Sequence, residues 1–308
     1  MNRIILVPSI FLSEDVVSDR WRLLIWMLRD KLGFKIVTIN KDIPKDVKTA
    51  MIIGLPRHII GRSTFPGNES TRLIVYTADV HKTIDPGYKE KVRRLLERCD
   101  VHLSAGDAFF RDAWPEYTEK HVFFPYFFAS QERYKSLEFN NTPIMKCLFT
   151  GHHSKAYGFR RGIYCFAKSK VQGSELFTIL EHPGNLNAKK NKDIVGQGYA
   201  NILNRHYCSI TSTLYGYPLA KHFEIMASGS LLLSDETEDL TTLGMIAGQH
   251  YVSITVKNYK EKVRDCLENP EKYNEIRKHG MEFSRRRHGI DSRFDVIKKI
   301  VKRLERKP

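Results

Sequence analysis

Twenty residues, Tyr215 to Ser234 (YGYPLAKHFEIMASGSLLLS), restrict the fold more than any other part of the chain. Gly216 and Pro218 punctuate a loop, and the residues from Leu219 to Ser228 have helical spacing, with Leu219, Phe223, Met226 and Ala227 on one apolar face. Gly229 stops that helix, and Leu231 to Leu233 is an unbroken apolar run. A strand without polar alternation is buried on both faces, the habit of parallel sheets covered by helices. The stretch therefore predicts an α/β protein. Lys221 and Glu224 lie one turn apart on another face of the helix. A helix start offers unpaired N–H groups and partial positive charge, so a phosphate-bearing ligand suits it. Lys221 would add a full charge, and Glu224 could accept hydrogen bonds from ribose or sugar hydroxyls.

The N-terminal half repeats the α/β theme. Strands are expected at Arg3 to Pro8, Lys35 to Ile39, Ala50 to Gly54, Arg72 to Tyr76, Val101 to Ser104 and Val122 to Pro125, with helices at Asp19 to Leu32 and Tyr88 to Arg98. Such alternation predicts a mostly parallel sheet with right-handed crossovers, whose ligands bind beyond the carboxyl ends of the strands. Asp79 and His81 follow the fourth strand and offer a carboxylate and an imidazole for taking a proton from an acceptor hydroxyl. Glu14, Asp15 and Asp19 are alternative bases. The polar stretch Phe139 to Pro143 marks an interdomain join, giving domains 1–142 and 143–285. A last amphipathic helix within 286–308 carries Phe294, Ile297, Ile300, Val301 and Leu304 on one face.

The run Lys221-x-x-Glu224-x-x-Ala227-x-Gly229, followed by an apolar strand, resembles the donor-site signature of nucleotide-sugar-dependent glycosyltransferases of GT-B architecture. Leu148 to His153, with Tyr157 and Arg160, resembles the first strand and ligand-facing loop of that family's donor domain. His182-Pro183-Gly184, then Gly198-Tyr199-Ala200 and a helix ending near His206, resemble the segments that flank the nucleotide base. The match runs from Ile144 to Arg287. The resemblance implies two Rossmann-like domains with a cleft between them and a C-terminal helix crossing back to the first. It implies a donor site of Gly151, His152, Tyr157, Arg160, His182, Gly184, Tyr199, Tyr215, Gly216, Tyr217, Lys221 and Glu224. The diphosphate would sit at the Gly216 loop, neutralised by Lys221 and an arginine such as Arg160, beside which Arg161 could serve instead, with Asp79, His81 and Glu224 as the catalytic set. Many retaining members carry a glutamate at both ends of the segment that closes on Glu224. Here Gly216 holds the first of those places, so Tyr215 or Tyr217 would substitute for it.

The activity implied is transfer of a sugar from a nucleotide diphosphate-sugar to a glycan, lipid or other hydroxyl acceptor. An epimerase or hydrolase of the same fold, or a noncatalytic nucleotide-sugar or glycan binder, is the alternative. Asp235-Glu236 and Glu238-Asp239 lack the Asp-x-Asp spacing of a divalent-ion site, so no metal or other cofactor is expected beyond the sugar nucleotide itself. The net charge of +15 is spread over Lys89–Arg98, Lys189–Lys192, Arg285–Arg287 and Lys298–Pro308. Aromatic residues do not interleave with these clusters, which argues against nucleic acid and for an anionic glycan or a peripheral contact with an anionic membrane. Five dispersed cysteines without a CxxC pair indicate reduced thiols rather than disulfides or zinc. With no apolar run of the roughly 20 residues that span a bilayer and no signal-peptide pattern, a cytoplasmic protein is expected.

Overall fold

The computed structural model describes residues 2–38, 44, 46–54, 67–77, 85–154, 157–169 and 173–306. The chain packs as two units, one of Met1–Glu14, Asp19–Pro125 and Asp291–Pro308, the other of Asp15–Ser18 and Tyr126–Ile290. Both are helix-flanked parallel sheets, as the apolar strands and the spacing of the segments predict.

In the first unit the strands are β1 (Arg3–Val7), β2 (Lys35–Thr38), β3 (Thr49–Ile53), β4 (Arg72–Thr77), β5 (Val101–Ser104) and β6 (His121–Phe123). They lie in the order β2-β1-β3-β4-β5-β6, every neighbouring pair parallel. Helix α1 (Arg20–Leu32) buries Trp21, Leu24, Ile25 and Leu28 and ends at Gly33, whose φ of 69° suits a residue without Cβ. Helix α2 (Pro86–Arg98) starts two residues earlier than the apolar pattern suggests. The Asp85 carboxylate accepts the Gly87 and Tyr88 N–H groups, and Pro86 is preset for the first turn. The C-terminal helix, Ile290–Arg306, belongs to this unit from Asp291 onward. Its Glu305 grips Arg3 of β1 through two contacts, Nε–Oε1 at 2.6 Å and Nη2–Oε2 at 2.7 Å. Asp79 and His81 lie outside the described residues.

In the second unit the strands are β7 (Ile144–Thr150), β8 (Phe177–Leu180), β9 (His206–Ile210), β10 (Leu231–Ser234) and β11 (Val252–Ser253). Their order is β11-β10-β9-β7-β8, again all parallel. Strand order reverses between β7 and β9, as it does between β1 and β3, and such switch points open a crevice beyond the carboxyl ends of the strands. Helices α3 (Gly158–Ala167), α4 (Gly196–Arg205), α5 (Ala220–Ala227) and α6 (Asn274–Arg287) flank this sheet.

The units divide at 14/15, 18/19, 125/126 and 290/291, whereas the polar stretch at 139–143 suggested a join at 142/143 and a last helix set apart from 286. Residues 126–142 are tied to the second unit by hydrogen bonds from long side chains. Asn204 donates to Glu138 O at 2.9 Å, Arg285 to Leu137 O at 2.8 Å, and Arg277 to Asn140 O at 3.2 Å. Polar composition marked a segment whose backbone is held by its neighbours. Among the described residues no helix is long and apolar enough to cross a membrane. All five cysteines are free thiols.

Candidate functional site

Strand β7 delivers Thr150 and Gly151 to the carboxyl edge of the second sheet. Gly151 has φ 101°, a conformation that a Cβ opposes, and a Cβ there would also collide with the Arg160 guanidinium and the Lys221 side chain. Two cations thus converge over bare backbone. Arg160 sits on α3 rather than in a loop, and it is buried. Its Nη2 donates to Thr150 O at 3.1 Å and its guanidinium lies 4.9 Å from the Tyr157 ring centre, but Nε meets no acceptor among the described residues. Burial lowers its pKa. A buried guanidinium without a carboxylate costs several kcal/mol in unmet solvation, which an incoming anion can offset.

Lys221, on the first turn of α5, donates to the Tyr199 hydroxyl at 3.0 Å and lies 4.7 Å from that ring. Burial, reinforced by the negative charge of Glu224, pushes the Tyr199 phenol up, so it stays protonated. The resemblance placed Tyr199 beside the nucleotide base; its contact here is with Lys221. Glu224 is half-buried on the same helix.

His152 and His182 stack with ring centres 4.0 Å apart and planes 29° off parallel. His182 Nδ1 accepts the Gly184 N–H at 3.0 Å, which leaves the proton of the neutral ring on Nε2. Burial first, then His152, Lys221 and Arg160, push His182 down to about 4. Burial also lowers His152. The pair therefore offers neutral flat rings at pH 7, beside two cations.

The loop expected to cradle a diphosphate is a tight hairpin turn. Tyr215 and Gly216 have φ 50° and 86°, and Leu214 and Tyr217 exchange both backbone hydrogen bonds at 3.1 Å, the pattern of a two-residue type I′ turn. The N–H groups of Leu214 and Tyr217 are used by the turn itself. Tyr217 is buried and Tyr215 exposed, so the two tyrosines are not equivalent substitutes for a missing glutamate. At the far end of α5, Gly229 (φ 77°) closes a Schellman cap through Ser230 N–H to Ile225 O and Gly229 N–H to Met226 O.

Gly151, Tyr157, Arg160, Tyr199 and Lys221 are thus connected by contacts, and His152, His182 and Gly184 form an adjoining cluster whose histidines feel the Lys221 and Arg160 charges. His222, Ser234, Asp235 and Thr213 were not in the sequence-based set. His222 is buried and bridges the start of α5 to Ser234. The only sequence signal was a histidine in the first turn of an amphipathic helix, an unremarkable letter.

Two doubly wound parallel sheets, with the last helix of the chain returning to the first unit in sequence, define a GT-B fold. Residues 157–299, just under half the chain, match the family model described as glycosyl transferase-like. Solved structures agree on the fold. Sucrose-phosphate synthase from Thermosynechococcus elongatus aligns with TM-score 0.68 at 10% identity, covering 99% of each chain. Anabaena HepE, solved with UDP and glucose, aligns with TM-score 0.64 at 9% identity, covering 98% of this chain and 99% of that one. The pneumococcal O-GlcNAc transferase GtfA, solved with UDP and GlcNAc, aligns with TM-score 0.53 at 9% identity over 94% of this chain, which spans 61% of GtfA's length. No curated protein matches the chain by sequence.

Proposed function

We propose that the protein is a metal-independent glycosyltransferase that takes its sugar from a nucleoside diphosphate-sugar and passes it to a hydroxyl group of a glycan or lipid-linked acceptor. The observation that carries this reading is the meeting of Arg160 and Lys221 over Gly151, with one guanidinium nitrogen buried and without an acceptor. A diphosphate is the common anion of the right size and charge. As the bond from the sugar to the diphosphate breaks, negative charge grows on the leaving oxygens. Two fixed cations and the start of α5 stabilise that charge more than they do the ground state. They supply what a divalent ion would otherwise provide. Glu224 is positioned on α5 to accept from sugar or ribose hydroxyls, and the His152–His182 stack offers a neutral face for the base. Asp79 or His81 would take the acceptor's proton.

The test is a panel of nucleoside diphosphate-sugars incubated with the protein in chelator, following thermal stabilisation and nucleotide release, with Lys221→Ala and Glu224→Ala alongside. We expect one donor to stabilise the wild type and not the variants, and to release nucleotide faster when acceptor is added. Failure of every donor to stabilise the protein would sink this reading. Release that no acceptor accelerates would turn it into a hydrolase.

A further inference from the structure

We propose that His222 is the positioning residue of the donor site, its imidazole holding the start of α5 against the end of β10 and so fixing where Lys221 and Glu224 stand. This rests on the donor site proposed above. Leu219, at the N-cap of α5, has no side-chain oxygen for the first turn, and His222, at the third helical position, supplies the other half of a capping box by accepting the Leu219 N–H. Its Nδ1 takes the Leu219 N–H at 3.0 Å. The Leu219 carbonyl lies 3.2 Å from Nδ1 but already accepts the His222 N–H at 3.1 Å. A backbone N–H can only donate, so Nδ1 is the unprotonated nitrogen and Nε2 carries hydrogen.

From there every proton has one direction. Nε2 donates to Ser234 Oγ at 2.9 Å, and Ser234 Oγ donates to Asp235 Oδ1 at 3.1 Å. Asp235 closes the chain by accepting the Thr213 N–H at 2.7 Å and the Thr213 hydroxyl at 2.5 Å. Thr213 follows β9, Ser234 ends β10, and His222 belongs to α5, so a single directional network ties two strand ends to one helix start. His222 and Ser234 are fully buried, where an unmet polar group is most costly and a satisfied network most rigid. Lys221 and Glu224 flank His222 in sequence on the half-exposed side of the helix. A small rotation of α5 would carry both away from Gly151, while His222 itself has no need to touch the ligand.

The test uses the full-length protein and uridine, guanosine and adenosine diphosphate, with the tightest binder of the three as probe. Affinity is measured by calorimetry well below the melting transition for His222→Ala, His222→Asn, Ser234→Ala and Ser230→Ala. Asparagine can still accept from Leu219 but cannot reach Ser234. Ser230 shares an equally buried hydrogen bond, 2.9 Å to Ser209 Oγ, and controls for lost stability alone. We expect affinity to fall on the order of tenfold in His222→Ala, the size of a lost helix cap plus its tether, and less in His222→Asn and Ser234→Ala. Ser230→Ala should lose melting temperature without losing affinity. If Ser230→Ala weakens binding as much as His222→Ala, or if all variants bind like the wild type, the positioning role is wrong. A wild type that binds none of the three diphosphates overturns the donor site itself, before any variant is compared.

Discussion

Arg277 and Arg160 are buried to the same depth in the second unit, each 2% exposed, and are served very differently. Arg277 uses every nitrogen. Nε and Nη2 donate to Gly229 O at 3.2 and 2.9 Å, Nη2 also to Asn140 O at 3.2 Å, and Nη1 to Asn274 Oδ1 at 3.3 Å. The ring centres of Phe139 and Tyr207 lie 4.5 and 4.7 Å from its guanidinium carbon. Arg160 has one carbonyl, one ring and an empty Nε. A cation saturated by carbonyls is a clamp for the backbone, whereas one left short of acceptors among the described residues, at the switch point of a parallel sheet, is the one that the proposed function assigns to a diphosphate. Depth of burial alone does not separate the two; the tally of acceptors does.

The comparison can be broken most decisively at Arg160. Arg160→Leu should lower donor kcat/KM by about 10²–10³, the usual size for a lost charge-stabilising donor, and leave the melting temperature unchanged or raised. A stability loss there would make Arg160 a second clamp. Arg277→Met should do the reverse, costing about 3 kcal/mol in denaturant unfolding because buried carbonyls are left without donors, with nucleotide affinity of the folded protein intact. Gly151→Ala sharpens the contrast from the backbone side. Its strain and its collision with both cations should cost about 1–3 kcal/mol and weaken donor binding on calorimetry.

The smallest effect is in pH. Burial holds His182 and His222 at about 4, below the ordinary 6.5, so the unfolded chain binds these protons first. Stability should therefore be lost as pH falls from about 6.5 towards 4 and be flat above that window. A bound diphosphate offsets the Lys221 and Arg160 charges that help depress His182, and should make the decline in melting temperature shallower.

Most of the architecture was legible because apolar strands carry their own punctuation. Five of the six strands of the first unit fall within a residue of expectation, and β6 ends two residues early; α5 also falls within a residue, and its Gly229 stop is an actual left-handed cap. Strand β9 was not legible, since His206 and Ser209 interrupt its apolar letters although all five residues are buried. Helix α3 was hidden by Gly158 and Gly162, which dilute the helical spacing of Phe159, Ile163 and Ala167. That is why Arg160 read as a loop residue. Of the candidate site, Lys221 and Glu224 could be read from one helix face. Their support could not, because Thr150, Ser234 and Thr213 reach it from separate strands, and Tyr199 was expected near the base rather than as the partner of Lys221. The hairpin at Tyr215-Gly216 escaped because a tyrosine rarely takes a positive φ.

The pairing of Arg3 with Glu305 has a consequence for how the chain is made. The second unit uses nothing made after Ile290, whereas the first still needs the helix that follows it. A premature stop in the last two turns would thus injure the segment synthesised first, and spare the one just finished.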